Sequence, residues 1–421
     1  MPFITEIYAR EVLDSNGIPT VEADVFSESG AHGRAIVPSG VTKGKHEALE
    51  LRDNDKDRFN SKGVLKAIEN INNEIAKALL GEDVRDQAKI DNKMIKLDST
   101  KNKSKLGANA MLAVSLACAR CASDYTGQTL YQYVGGCNSV TLPIPMINII
   151  NGGLNLNTKL TISEFMIMPV SAQSFKEAIK MSLNVIESLK KLIRNKEIQY
   201  SITDKGGFSL NVEKTKDCLD LIIEAIKTSG YSEKKDINIA LDVAANFIYD
   251  TKSKLYNIDG DLKTTDELVS FFKDLSSKYP IISLEDPFYE DDIAGWKKIT
   301  KVLGNKVEIV GDDIFATQKD RLEKGIKGGY ANSIVIKPNQ VGTLTETLDT
   351  IELAKRNGYH IIISNRSGET EDNFISDLSV AVTSRRIKCG ALLHTDRISK
   401  YNQLLRIEEE LSSSSKYATL K

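Results

Sequence analysis

The chain has 421 residues, 41% of them hydrophobic and 27% charged, with a formal net charge of −2. That length is more than one small core serves, so two domains are expected. The charge supplies no basic field for nucleic acid, and no apolar run reaches a membrane span.

The opening MPFITEIYAREVLDS carries charges from Glu6 onward and has no apolar h-region, which reads as a cytoplasmic start. Five scattered cysteines suit a reducing compartment. Residues 1–60 mix alternating segments such as TVEADVF with glycine-rich turns, predicting a small antiparallel sheet. Residues 62–80 and 107–126 have amphipathic helical spacing. The second of these holds Cys118-Ala-Arg-Cys121, which reads as two buried thiols, since no second cysteine pair stands nearby. The proline cluster LPIPMIN at 142–148 marks the expected junction, giving an α+β domain over 1–135 and a second domain over 142–421.

Beyond residue 145 the pattern becomes EFMIMPV, INIALDV, PIISLED, VEIVGDD, NSIVIKP and YHIIISN, short apolar runs of the kind buried on both faces of a parallel sheet. Amphipathic segments such as TDELVSFFKDLSSKY and TLTETLDTIELAKRNG separate them. The serine run at 412–415 is expected to begin a frayed tail. Asp242, Glu285, Asp312, Lys337 and Asn365 each end one of the apolar runs. In a β/α barrel such ends meet on one face, where catalytic groups sit.

Asp242, Glu285 and Asp312 are three hard oxygen donors with no histidine or cysteine among them, which favours magnesium. Lys337, on the next strand, would feel like-charge repulsion from that cation and lose affinity for its proton, becoming a base. A base beside magnesium points to proton abstraction next to a carboxylate, with the metal neutralising the enediolate. Arg366, Ser367 and Lys388 supply a cationic end suited to phosphate or carboxylate.

The motifs LPIPMINIINGG, EFMIMPV, ALDVAA, SLEDPF, VGDD, IKPNQVGTLTET, SNRSGETED and KYNQLLRIEEEL resemble those of the enolase family over nearly the whole chain. The resemblance implies an N-terminal α+β domain, a modified eight-stranded β/α barrel of the TIM type, two magnesium ions and a homodimer or larger assembly. By the same resemblance Asp242, Glu285 and Asp312 hold the first ion, and Ser39 closes over substrate and joins the second. Lys337 takes the C2 proton, and Arg366, Ser367 and Lys388 surround phosphate and carboxylate. Glu164 matches a glutamate on the leaving-group side.

Three positions depart from the family pattern. Leu154-Asn155 stands where Lys or Ser and then His are usual, Lys205 replaces the general-acid glutamate, and Asn365 replaces a histidine. Val41-Thr42-Lys43 also differs in the closing loop, and Ser163 replaces a glutamine. A change from glutamate to lysine reverses a charge worth ~4 kcal/mol per unit interaction at 4 Å and an effective dielectric of about 20. General-acid assistance amounts to roughly 100- to 10,000-fold, so weak or absent ordinary enolase activity is expected.

Three readings of Lys205 stand: a new general acid, a binder of an extra anionic group, or a salt bridge to Glu164 in a silent site. Asn155 and Asn365 would hydrogen-bond substituents near C3. The leading functional expectation is a magnesium-dependent lyase acting on a phosphorylated or phosphonate-like hydroxy acid other than 2-phosphoglycerate, in a specialised biosynthetic pathway. Ordinary phosphopyruvate hydratase and a non-catalytic scaffold are the alternatives.

Overall fold

The computed structural model describes residues 1–40, 44–153 and 158–420. The expectations placed on Val41-Thr42-Lys43 and on Leu154-Asn155 lie outside these residues. Near the N-terminus, Ile4–Leu13, Pro19–Ser27 and His32–Ile36 form the expected antiparallel sheet. The helix Ala108–Thr126 lies across it, and its run of small residues lets the two backbones approach closely. A Cβ added at Gly33 would stand 2.1 Å from the carbonyl oxygen of Ala117, so only glycine fits that crossing. Cys118 and Cys121 are both fully buried in this helix, and burial pushes both thiols up, that of Cys121 to about 11. They are inert packing groups, as their spacing predicted.

The helical run expected at 62–80 forms over 65–79, wound as a π-helix in its middle, Asn70–Ile75. Two expected barrel helices also form. Thr265–Lys278 starts on a capping box between Thr264 and Glu267, and Leu344–Arg356 starts on the Thr343 side chain.

Eight strands close on themselves in the second part of the chain. In order around the barrel they are Ile144–Asn151, Glu164–Pro169, Ile237–Asp242, Ile281–Glu285, Glu308–Gly311, Ser333–Ile336, His360–Ser364 and Arg386–Lys388, the last pairing back to the first. Burial on both faces accounts for the near-continuous apolar runs. Ile144, Met146, Met166, Met168, Ala240 and Val310 fill the interior, while alternate residues such as Ile147 and Ile167 pack outward under the helices.

One strand corrects the all-parallel expectation. EFMIMP at 164–169 pairs antiparallel with both neighbours, placing Glu164 opposite Asn151 on one side and Asp242 on the other. An apolar run buried on two faces looks the same in either direction, so its composition held no sign of the reversal.

The tail also differs from expectation. After a short 3₁₀ turn at Ser412–Ser414, Lys416–Tyr417 adds a strand beside Thr141–Leu142. The Tyr417 hydroxyl donates to the Pro169 carbonyl at 2.9 Å, and Ala418 is buried within the barrel's inner cluster. The open end of the barrel offers apolar surface that the tail covers, and this holds the segment in place.

Helix Phe374–Ala381 buries Asp377, which accepts a hydrogen bond from Gln403 at 3.1 Å. Burial pushes this carboxyl up to about 7 against the pull of Arg120. A carboxyl raised in the folded state contributes stability that is complete below its unfolded value, near 3.9, and is lost as pH rises through about 7. Asp377→Asn, locked in the neutral form, is therefore expected to flatten that decline. Urea unfolding at pH 4.5 and 7.5 should show a gain of up to ~4 kcal/mol confined to the higher pH.

Candidate active site

The strand ends named from the sequence do converge. Asp242 and Glu285 close their strands and are paired in register, and Lys388 closes the strand Arg386–Lys388. Asp312, Lys337 and Asn365 each stand one residue past a strand. Around this rim opens a cavity of about 370 Å³ whose walls include Glu164, Lys205, Asp242, Asp312, Lys337 and Lys388. Asn365, Arg366 and Ser367 line it as well. Glu285 lies beneath, only 1% exposed.

Lys388 is the hub. Its ammonium donates to Asp242 at 2.8 Å and to both Glu285 oxygens at 3.0 Å, with a Glu164 oxygen at 3.4 Å. Burial and the Asp242 charge push Glu285 up to about 8, although Lys388 works against them. Those carboxylates in turn hold Lys388 well above its ordinary value despite its burial.

Lys337 makes the second pair, donating to Asp312, which also accepts from Gln340 at 3.1 Å. Burial favours the neutral amine, but the Asp312 charge outweighs it and raises the lysine above its ordinary value. The paired carboxylate acts in the opposite direction to the repulsion from a bound cation on which the expectation of a neutral base rests.

On the far wall, the Lys205 ammonium donates to Glu164 at 2.6 Å. Burial favours protonation of Glu164, yet Lys205 and Lys388 together hold it well below the usual carboxylate range. Arg366 forms an ion pair with Glu47 at 3.0 Å, and Asn365 donates to the Arg366 carbonyl at 3.0 Å. Arg397 holds this corner by donating to the carbonyls of Arg366 and Ser367 at 2.7 and 2.9 Å.

Ser39 does not reach the cavity wall. Its hydroxyl donates to Glu50 at 2.7 Å and accepts from Arg52, while its backbone pairs with Gly368.

Two carboxylates absent from the expected set join the site. Asp286, Asp312 and Asp313 bring oxygens within 4.8 Å of one another. Burial and the neighbouring charges push Asp286 well up, and push Asp313 to about 7. The signal was present in the doublets Glu285-Asp286 and Asp312-Asp313, but strand alternation argues that only one of each pair faces inward. Asp286 breaks the alternation with a φ of 41°, and from there accepts the backbone N–H groups of Asp312 and Asp313.

The donors are all hard oxygens, crowded and buried enough to raise three of their own proton affinities, and they fit a magnesium ion. Among the described residues the carboxylates whose oxygens gather within 4.8 Å are Asp286, Asp312 and Asp313, so of the expected set Asp312 belongs to this group while Asp242 and Glu285 stand outside it. Residues 4–134 match the family description "Enolase, N-terminal domain", and residues 139–421 match "Enolase, C-terminal TIM barrel domain". The chain belongs to the enolase family. Enolases are generally magnesium-dependent, and membership points to a lyase-type enzyme. Among the described residues no helix is long and apolar enough to cross a membrane.

Proposed function

We propose that this enolase-family protein removes the proton α to a carboxylate from a phosphorylated or phosphonate-like hydroxy acid and eliminates a group from the β carbon. The observation that supports this is the placement of two ion pairs across one mouth. The strand bearing Lys337 lies four places from the strand opened by Glu164 in a barrel of eight, which is the opposite side. A ligand between them can present its C2–H bond to Lys337 and its β substituent to Glu164 and Lys205.

Lys337 Nζ, as the neutral amine, takes the C2 proton, the electron pair of that C–H bond forms C2=C3, and the leaving group departs from C3 with the electron pair of its own bond. Arg366, Ser367 and Lys388 bind and orient the phosphate and carboxylate. Bound at Asp242, Glu285 and Asp312, magnesium would supply charge neutralisation to the ligand's carboxylate as it gains negative charge. A second ion using Ser39 requires its hydroxyl to leave Glu50 and Arg52. Family membership supports a homodimer or larger assembly and a cytoplasmic setting.

The far wall supports a substrate shifted from 2-phosphoglycerate. There a departing hydroxide needs a proton, and Glu164 is held ionised by two lysines. With magnesium and 2-phosphoglycerate in deuterated buffer, exchange at C2 is expected with little phosphoenolpyruvate formed. Rapid product formation would make the chain an ordinary phosphopyruvate hydratase. Absence of both signals, together with no binding, would leave a non-catalytic fold.

A further inference from the structure

Lys205 is the most open of the three lysines that pair with carboxylates on the cavity wall. Lys388 donates to Asp242 and Glu285, with Glu164 beside them, and its side chain is 6% exposed, while Lys337, 14% exposed, pairs with Asp312. The Lys205 ammonium carries three N–H groups, and among the described residues only Glu164 accepts one. Its side chain is 32% exposed on the cavity wall, whereas that of Glu164 is 6% exposed behind it.

The backbone beneath is fixed. Lys205 occupies a tight turn in which the Gly206 N–H donates to Thr203 at 2.9 Å and the Thr203 N–H donates to Gly207 at 3.0 Å. The Thr203 hydroxyl donates to Asn151 at 2.8 Å, and the Lys205 carbonyl accepts from the Ala391 N–H at 3.2 Å. Gly206 has a φ of 82°, and a Cβ there would meet Ala391 and Leu393 at 3.0 and 3.1 Å, so the turn is seated directly on the 391–393 segment. An ammonium on such a support is pre-organised for a ligand group.

We propose that Lys205 is a specificity-determining residue that binds a second anionic group, a carboxylate or phosphonate carried on the β carbon of the substrate. This rests on the α-proton-abstraction reading given above. The opposed placement of Lys337 and Glu164 puts the β substituent, and not the α carboxylate, against Lys205. An anionic oxygen attracts the ammonium as an opposite full charge as well as accepting its N–H bonds, so an anionic substituent gains most from the spare donors. The Glu164 carboxylate accepts from the ammonium and orients it.

Two probes differing only at that position decide the matter: 2-phosphonopropanoate, and 2-phosphonosuccinate, which adds a carboxylate on the β carbon. Dissociation constants are measured calorimetrically on the full chain with magnesium. The wild type is expected to bind 2-phosphonosuccinate at least tenfold more tightly. In Lys205→Met the ratio should fall to one or below, and in Lys205→Arg it should persist. Equal binding by the wild type, or a preference that survives Lys205→Met, overturns the assignment while leaving α-proton abstraction intact. If neither probe binds the wild type, the reading of the cavity as a phosphorylated-acid site fails, and this inference with it. Residual binding of 2-phosphonopropanoate by each variant reports that it is folded.

Discussion

Replacing Lys337 with alanine is expected to abolish deuterium exchange at C2 of any acid the protein accepts, by at least roughly 100- to 10,000-fold, the range general-base catalysis supplies. The side chain is buried, and among the described residues its ammonium donates only to Asp312. Among the described residues the other lysines lining the cavity are engaged elsewhere: Lys388 is drawn to Asp242, Glu285 and Glu164, Lys205 is across the mouth, and Lys45 is exposed beside Asp291. Exchange would be followed by proton NMR in deuterated buffer with saturating magnesium. Persistence of exchange at more than a few per cent of the wild-type rate would remove Lys337 from the base role. Asp312 retains its hydrogen bond from Gln340 in the variant, so the strand end should keep its shape.

The second large effect is on stability. Lys388→Met removes the one ammonium that Asp242, Glu285 and Glu164 share. Breaking a buried ion pair from one side costs about 3–5 kcal/mol because the remaining charge is left uncompensated. Three carboxylates are involved, with Glu285 and Lys388 only 1% and 5% exposed, so the upper part of that range is expected in chelator-treated protein. Magnesium should recover much of the loss, since a divalent cation and the ammonium compete for the same oxygens. Thermal unfolding of wild type and variant with and without magnesium measures this. A deficit unchanged by magnesium would mean that Asp242 and Glu285 do not hold the ion.

The sequence made the barrel rim legible because five polar residues interrupt five apolar strands at the same point, and each does stand at or one past a strand end. Strand direction was not legible, since a doubly buried run carries no polarity, and Glu164 was placed by family likeness alone. Asp286 and Asp313 were missed because their positions depend on a left-handed backbone residue, which a side-chain pattern does not reveal. The pull of Asp312 on the Lys337 proton was not legible, since it depends on a contact between two side chains 25 positions apart. The docked tail escaped notice because a serine run looks the same whether or not Tyr417 and Ala418 beyond it find a surface to cover.

The reversed strand carries a consequence for how new chemistry enters such a barrel. Because Glu164–Pro169 runs against its neighbours, the connection between Asn151 and Glu164 leaves and re-enters at the same rim, as a hairpin loop does. In a wholly parallel barrel that connection would have to descend the outside wall, and its sequence would be constrained by packing there. Here the connection is short, and its later part is anchored, since Leu160 and Ile162 are buried in the core and Gly152 leaves no room for a Cβ beside them. Ser163, where this chain parts from its family pattern, lines the cavity next to Glu164, and Lys205 lines it too. A combinatorial library confined to Ser163 and Lys205 would vary the mouth while leaving untouched the strands that carry the carboxylates and Lys337, so changes of ligand preference should be selectable there with little loss of soluble yield.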